Sequence, residues 1–306
     1  KFIPSFFLSL IFYGLVFAKE IPVVKPEEVG MSSVKLAMVD DVLNRFVIEK
    51  KLAGGIVAIA RKGKIVHFGS YGKMDLERDK KMKPDSIFRI YSMSKAITTV
   101  AALVLFDEGK FELDDPVAKY IPEFKKLSVW RDAQAEPVKR QMTVRDLMRH
   151  TSGLSYGFVG NSVVEKRYKQ DKPIDRASSL PVMIKKLSDI PLAFEPGTKW
   201  QYSVSIDVLG LLVEIWSGKS FEDFLAERIC KPLDMKDTAF DVPKGKVNRF
   251  TANYAPNGSG KLRLIDDPAK SRYLTPAGLA SGGGGLVSTT RDYLRFLQMV
   301  LNSGEL

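Results

Sequence analysis

Two periodicities divide the chain. Over residues 33–50, Leu36, Val39, Leu43, Phe46 and Val47 fall on one side of a 3.6-residue turn, which predicts an amphipathic helix. Ser32 or Ser33 is its expected cap, since a short hydroxyl side chain accepts from the orphan N–H groups of a first turn. Two β-rich runs follow, 55–61 and 64–70, separated only by Lys62-Gly63. A two-residue connection containing glycine predicts a hairpin. Residues 96–106 are apolar almost all the way round, as in a buried helix, and Gly109 is placed to end it in a left-handed conformation.

Beyond this point the signals stay mostly helical to about residue 240. Thr143-Val144-Arg145-Asp146 resembles a capping box with Asp in place of Glu and opens a short helix to His150. Residues 205–217 form another apolar helix, with Ser203 or Ser205 as its cap and Gly218 as its stop, and 220–230 continue helical. A last helix opens at Thr289-Thr290-Arg291-Asp292 and runs through Val300, with Gly304 as its stop. No convincing set of strands follows the helical block, and a lone hairpin is a marginal sheet. The order predicts an α/β fold: an antiparallel sheet lobe, about 30–91 and 240–306, with an all-helical lobe, about 92–239, inserted into it. The sheet's later strands are expected beyond Leu306.

The chain has 306 residues, 45% of them hydrophobic, which is ample for a sizeable core. Its net charge of +11 is spread along the sequence with no basic block and no interleaved aromatics, so nucleic acid is not an expected partner. Residues 1–18 carry one Lys, an apolar run broken by Pro4 and Gly14, and Val16-x-Ala18. That pattern fits a secretory signal cleaved after Ala18, leaving 19–306 as an exported, periplasmic or secreted domain without stable membrane insertion. An uncleaved anchor is the alternative. The single cysteine, Cys230, cannot form an internal disulfide and is expected to be a buried structural thiol. Neither His67 nor His150 has a carboxylate at ligand spacing, so no metal or other cofactor is expected. His67 is read as structural and His150 as a cap on helix carbonyls. Nothing in the pattern sets the oligomeric state.

The chemistry concentrates at Ser92-Met93-Ser94-Lys95. A serine and a lysine three apart on a helix share a face, and the hydroxyl sits near the positive end of the helix dipole. A serine becomes a nucleophile when a neighbour takes its proton, and a lysine serves only where its surroundings favour the free amine. The spacing alone is equally that of a capping serine beside a solvated lysine.

Other segments resolve this. Phe88 to Lys95, Met142 to Leu154, Phe194 to Ser203, Lys231-Pro232-Leu233-Asp234-Met235 and Ser281 to Leu286 together resemble the serine β-lactamase-like hydrolases. The resemblance is greatest to class C β-lactamases and family VIII carboxylesterases, and it covers about residues 25–306. It implies a β-lactamase/transpeptidase-like fold, Ser92 as the acylated nucleophile, Lys95 as its base and Tyr202 as the partner that shares proton transfer with the lysine. Read alone, Tyr202 is better taken as a core or interface tyrosine. Tyr156, Trp200 and the bend at Gly283 are the expected substrate-binding positions.

The sequence departs from the family pattern twice. Val204 stands where class C enzymes carry an Asn that orients a β-lactam amide, which favours an ester substrate. The family's third motif, a strand that also supplies an oxyanion-hole N–H, is expected beyond the end of this chain. Gly153-Leu154-Ser155-Tyr156-Gly157 spells a nucleophile elbow but lacks the preceding strand, and both histidines come before it, so Ser155 is expected to be a loop residue. The expected activity is hydrolysis of small carboxylic esters through an acyl-enzyme. A β-lactam or a D-amino-acid peptide is the alternative substrate, and a non-catalytic scaffold or sensor is the alternative of another class.

Overall fold

The computed structural model describes residues 20–305, so the expected signal segment lies outside the described residues. Helix α1 (Ser33–Ile48) leads into β1 (Gly54–Arg61), β2 (Lys64–Asp75), the two-residue β3 (Lys80–Lys81) and β4 (Ile87–Arg89). Then come α2 (Ser94–Asp107), the ribbon β5 (Ser128–Arg131) and β6 (Gln134–Pro137), α3 (Val144–Met148), α4 (Val163–Asp171), α5 (Leu180–Ser188), α6 (Ser205–Ser217) and α7 (Phe221–Leu225). Strands β7 (Asn253–Pro256), β8 (Leu262–Asp266) and β9 (Val287–Thr289) precede α8 (Thr290–Leu301).

Most of the predicted boundaries follow from their capping chemistry. Ser32 Oγ accepts from Lys35 N–H at the start of α1. Arg61 pairs with Lys64, and both turn residues have positive φ, 52° at Lys62 and 73° at Gly63, the geometry that matches a hairpin's twist. Thr143 and Asp146 form the reciprocal capping box. Gly109 and Gly218 take left-handed conformations after α2 and α6. Helix α6 differs from expectation at its start. Val204 is its N-cap residue and provides no side-chain bond, while Ser203 Oγ accepts from Ser205 N–H at 3.4 Å.

The strands after residue 240 correct the expectation that none would follow. β7 and β8 pair antiparallel, and β9 pairs with β4. Their three to five residues are too few for a period of two to stand out, and β9 is buried on every residue. The helical block likewise contains the short ribbon β5–β6.

The larger core joins α2, α3, α5, α6 and α7 through Ile97, Ala101, Leu105, Leu147, Met183, Leu209, Leu212 and Phe221. A second cluster holds β4 and β9 through Ile87, Val287, Phe250 and Tyr273. Into it runs the buried Arg89, whose guanidinium lies 4.0 Å from the Phe250 ring centroid and donates to Asp266, Thr251 O and Ser271. β4 is therefore fixed on both sides immediately before Ser92. Cys230 is buried in the larger core, and burial pushes its thiol up to about 12. The π-helical turn Ala226–Cys230 ends the segment that begins with α7.

Candidate active site

Ser92 lies in a single 3-10 turn, Tyr91–Met93, that runs directly into α2. Tyr91 has φ of +42°, a strained backbone for an aromatic residue. It is held there by Leu286 O, which accepts from Ile90 N–H, and by Asn253, which donates to the Tyr91 hydroxyl. The Ser92 N–H belongs to an opening turn, where N–H groups have no partner within the helix.

Lys95 follows one turn later, and its ammonium spends three donors on three acceptors. They are Ser92 Oγ at 3.3 Å, the Tyr156 hydroxyl at 3.1 Å and Gly283 O at 2.5 Å. The Tyr202 hydroxyl is bonded to Ser92 Oγ at 2.5 Å, and Lys95 Nζ lies 4.5 Å from the Tyr202 ring centroid. Tyr202, 110 residues further on, thus joins Ser92 and Lys95 around one hydroxyl.

Helix α2 also organises the glycine turn. Ser94 Oγ accepts from Leu286 N–H, Thr98 Oγ1 donates to Gly282 O, and Lys95 reaches Gly283 O between them. One helix face, at Ser94, Lys95 and Thr98, therefore docks residues 282–286 by their backbone. The glycines serve close approach. A Cβ on Gly283 would collide with Asp207 Oδ2 and the Tyr156 hydroxyl, and one on Gly282 with Thr98 and Ile206 O.

Asp207 is a residue that sequence reasoning missed. It is fully buried on α6 and accepts from Ser281 Oγ at 2.5 Å, Gly283 N–H at 3.1 Å and the Tyr156 hydroxyl at 3.4 Å. Burial pushes its carboxyl above the ordinary range, against those hydrogen bonds and the nearby Lys95 charge. Its signal was present: Asp207 is an acid in the first turn of a helix that then reads as apolar until Glu214. Burial, then Asp207 and Tyr202, push the Tyr156 phenol well above its ordinary value. Tyr156 is thus a neutral link that accepts from Lys95 and donates to Asp207.

The cleft in front of Ser92 has a volume of about 260 Å³. Tyr91, Tyr156, Phe158, Tyr202, Leu279 and the glycine turn line it, so Tyr156 and Gly283, two of the three expected substrate-binding residues, lie on its wall. Trp200 does not line it. Its side chain is exposed, 6.3 Å from the His150 ring and 6.5 Å from the Tyr202 ring, centroid to centroid. A larger apolar groove of about 630 Å³ lies between β1 and α8, beyond Tyr91 and Met93, and is lined by none of Ser92, Lys95 and Tyr202.

A family model described as Beta-lactamase matches residues 39–306. The chain belongs to the beta-lactamase family. Within that family it is 31% identical over 280 residues to esterase EstB of Burkholderia gladioli, covering 86% of this chain and 69% of that protein. It is 34% identical over 258 residues to the Mycobacterium tuberculosis protein Rv1367c, covering 83% of this chain and 63% of that one. The chain thus spans under two thirds of the length of that relative. Among solved structures, EstCE1, a hydrolase with promiscuous acyltransferase activity, matches with a TM-score of 0.75 at 26% identity, covering 89% of this chain and 74% of that one.

Set in the beta-lactamase family, four other residues take clear places. Val204 is fully buried in the larger core and does not face the cleft. Ser155 of the elbow-like pattern is also fully buried, with its hydroxyl bonded to the carboxylate of Glu165. Glu165 further accepts from Val159 N–H at 3.1 Å and Gln201 Nε2 at 3.5 Å. His150 caps no carbonyl with its ring, contrary to expectation. Left-handed at φ of 56°, it turns the ring toward the Tyr202 segment, where Nδ1 accepts from Ser203 N–H at 3.3 Å. Burial, with a smaller effect of Lys95, draws His150 down to about 4, so it is neutral at physiological pH. His67 bonds Tyr71, which donates to Asp40, tying β2 to α1.

Proposed function

We propose that this protein is a serine hydrolase that cleaves small carboxylic esters through an acyl-enzyme on Ser92. The observation that carries the reading is the Ser92 hydroxyl bonded at once to Lys95 and Tyr202 at the floor of a cleft. Ser92 Oγ attacks the ester carbonyl carbon, and its proton passes to the Tyr202–Lys95 pair in its reactive form, one proton short of the resting phenol and ammonium. That proton then reaches the departing alkoxide as the C–O bond breaks, leaving the acyl group on Ser92. Water, deprotonated by Tyr202, attacks the acyl carbonyl and frees the acid. The Ser92 N–H is one donor to the oxyanion. Tyr156, Gly283 and Asp207 do not touch the reacting atoms in this scheme; they hold the lysine.

Several observations support an ester over a β-lactam. The cleft is small, Val204 offers it no amide-binding group, and two related proteins are named as an esterase and a hydrolase. The pattern of residues 1–18 supports action outside the cytoplasm, which fractionation of the native host would test.

The test is turnover of p-nitrophenyl butyrate and of a chromogenic cephalosporin by the protein and by Ser92→Ala. Intact-mass measurement of trapped enzyme accompanies both. The expected result is ester turnover, a butyryl adduct on Ser92 and neither in the variant. Faster cephalosporin turnover would replace the ester reading. A folded protein that forms no adduct with either would identify a non-catalytic member of the family.

A further inference from the structure

The charge on the cleft wall is of one sign. Two ionised side chains line it, Arg176 from the connection between α4 and α5 and Arg272 from the turn before Leu274, and no carboxylate does. Arg176 is half-buried and built in. Its Nε donates to Arg272 O at 3.1 Å, and its Nη2 donates to Phe240 O at 2.8 Å and Thr275 O at 3.0 Å. Its own carbonyl accepts from Gly278 and Leu279 N–H. These bonds occupy Nε and Nη2, leaving Nη1 with no protein acceptor among the described residues. Both guanidiniums lie against Tyr273, their Cζ atoms 4.6 and 5.6 Å from its ring centroid.

Neither arginine is neutralised. Among the described residues no carboxylate comes within 4.0 Å of either guanidinium. Asp241 and Glu222 act on Arg176 from a greater distance and do not line the cleft. An arginine held at a cleft wall by neutral carbonyls, with donors to spare, is a host for an anion. The guanidinium fork matches a carboxylate, and a cleft of one sign concentrates ligands of the other.

We propose that Arg176 and Arg272 form an anion subsite of the Ser92 cleft, and that the preferred substrate is an ester bearing a free carboxylate. This rests on the cleft being the one that serves Ser92, and it adds the substrate class. Arg176 supplies the rigid, partly desolvated donor, and Arg272 adds a second positive charge at the exposed side. A neutral ester fills the same cleft without using either group. A cationic ester meets two like charges.

The experiment compares ester pairs that differ in one charge. Monoethyl glutarate against diethyl glutarate puts the carboxylate on the acyl half. 4-Acetoxybenzoate against its methyl ester puts it on the leaving half. The quantity read is the ratio of kcat/KM, anionic over neutral, in which any general loss of folding or catalysis divides out. The expected ratio is at least about tenfold for one of the two pairs, falling by about tenfold in Arg272→Gln and in Arg176→Gln, through KM and with salt sensitivity. Arg272→Gln removes no hydrogen bond of the fold, so it stands if Arg176→Gln is unstable. Binding of the same esters to Ser92→Ala, by calorimetry, reads the subsite without turnover. Tighter binding of the anionic ester, lost in Ser92→Ala/Arg272→Gln, supports the subsite even where the acyl-enzyme reading fails. Equal binding of anionic and neutral esters, or a preference that survives both arginine substitutions, overturns it.

Discussion

Lys95 donates its shortest hydrogen bond, 2.5 Å, to the backbone carbonyl of Gly283. The immediate counter-group of the ammonium is therefore a peptide dipole. The carboxylate of Asp207 is reached only through Tyr156 or through the Gly283 N–H. The glycine turn and Lys95 are one unit, and displacing the turn displaces the ammonium.

That coupling makes Gly283→Ala a sharp test. The added methyl meets Asp207 and Tyr156, two groups that are themselves packed. Overpacking of this kind costs about 1–3 kcal/mol of stability. The expected outcome is a modest fall in Tm with a loss of kcat of about a hundredfold or more. Gly284→Ala is the control, since its nearest new neighbour is 3.7 Å away, and it should lose far less kcat.

Asp207 separates acceptor from charge. Asp207→Ala strands the Ser281 hydroxyl and the Gly283 N–H in a buried site, at about 1–3 kcal/mol for each unsatisfied group. Asp207→Asn keeps an acceptor oxygen for them. Thermal melts should rank wild type, Asn, then Ala, with Ala lowest by several degrees. Acylation of Ser92 should follow the same order, since Gly283 holds Lys95. Equal stability of the two variants would show that these bonds contribute nothing.

His150 gives the fold a pH dependence of known sign. Its folded value is drawn down to about 4, whereas an unfolded imidazole takes its proton near 6.5. The unfolded chain therefore binds the extra proton first, and stability falls as pH drops from about 6.5 towards 4. The ring is only partly buried, so the loss is on the order of 1 kcal/mol once screening is allowed for. The difference in Tm between pH 7 and pH 4.5 should be smaller in His150→Gln than in wild type.

Val204→Asn tests whether the departure from the class C pattern is local. Val204 has no exposure, and nothing polar in the cleft reaches it. An amide there is buried among apolar groups at about 2 kcal/mol or more. The expected outcome is a less stable protein with no gain in cephalosporin turnover. A gain of tenfold or more would show that α6 shifts to present the new side chain.

The sequence carried the site better than the sheet. Ser92, Lys95 and Tyr202 were legible because each sits in a short segment whose residue types match the family pattern, and the structure brings them to one hydroxyl. The helices were legible where their caps were, at Ser32, Thr143 and Thr289. β7, β8 and β9 were not, since strands of three to five residues show little alternation and pair with partners distant in sequence. Asp207 and Arg176 were missed for a related reason. Their function lies in what surrounds them, a desolvated pocket and a row of carbonyls, and neither neighbourhood is written in the adjacent residues.

Glu165 has a consequence of a different kind. Its single carboxylate binds Ser155 and Val159, on the loop that carries Tyr156, and Gln201, beside Tyr202. The two tyrosines therefore share one mechanical anchor, and neither loop can drift without pulling on the other. Divergence that reshapes the cleft through either loop would disturb both tyrosines together. Variation in substrate range is thus channelled to the opposite wall, at Ile174, Arg176 and Arg272, which can change while the chemistry stays in place.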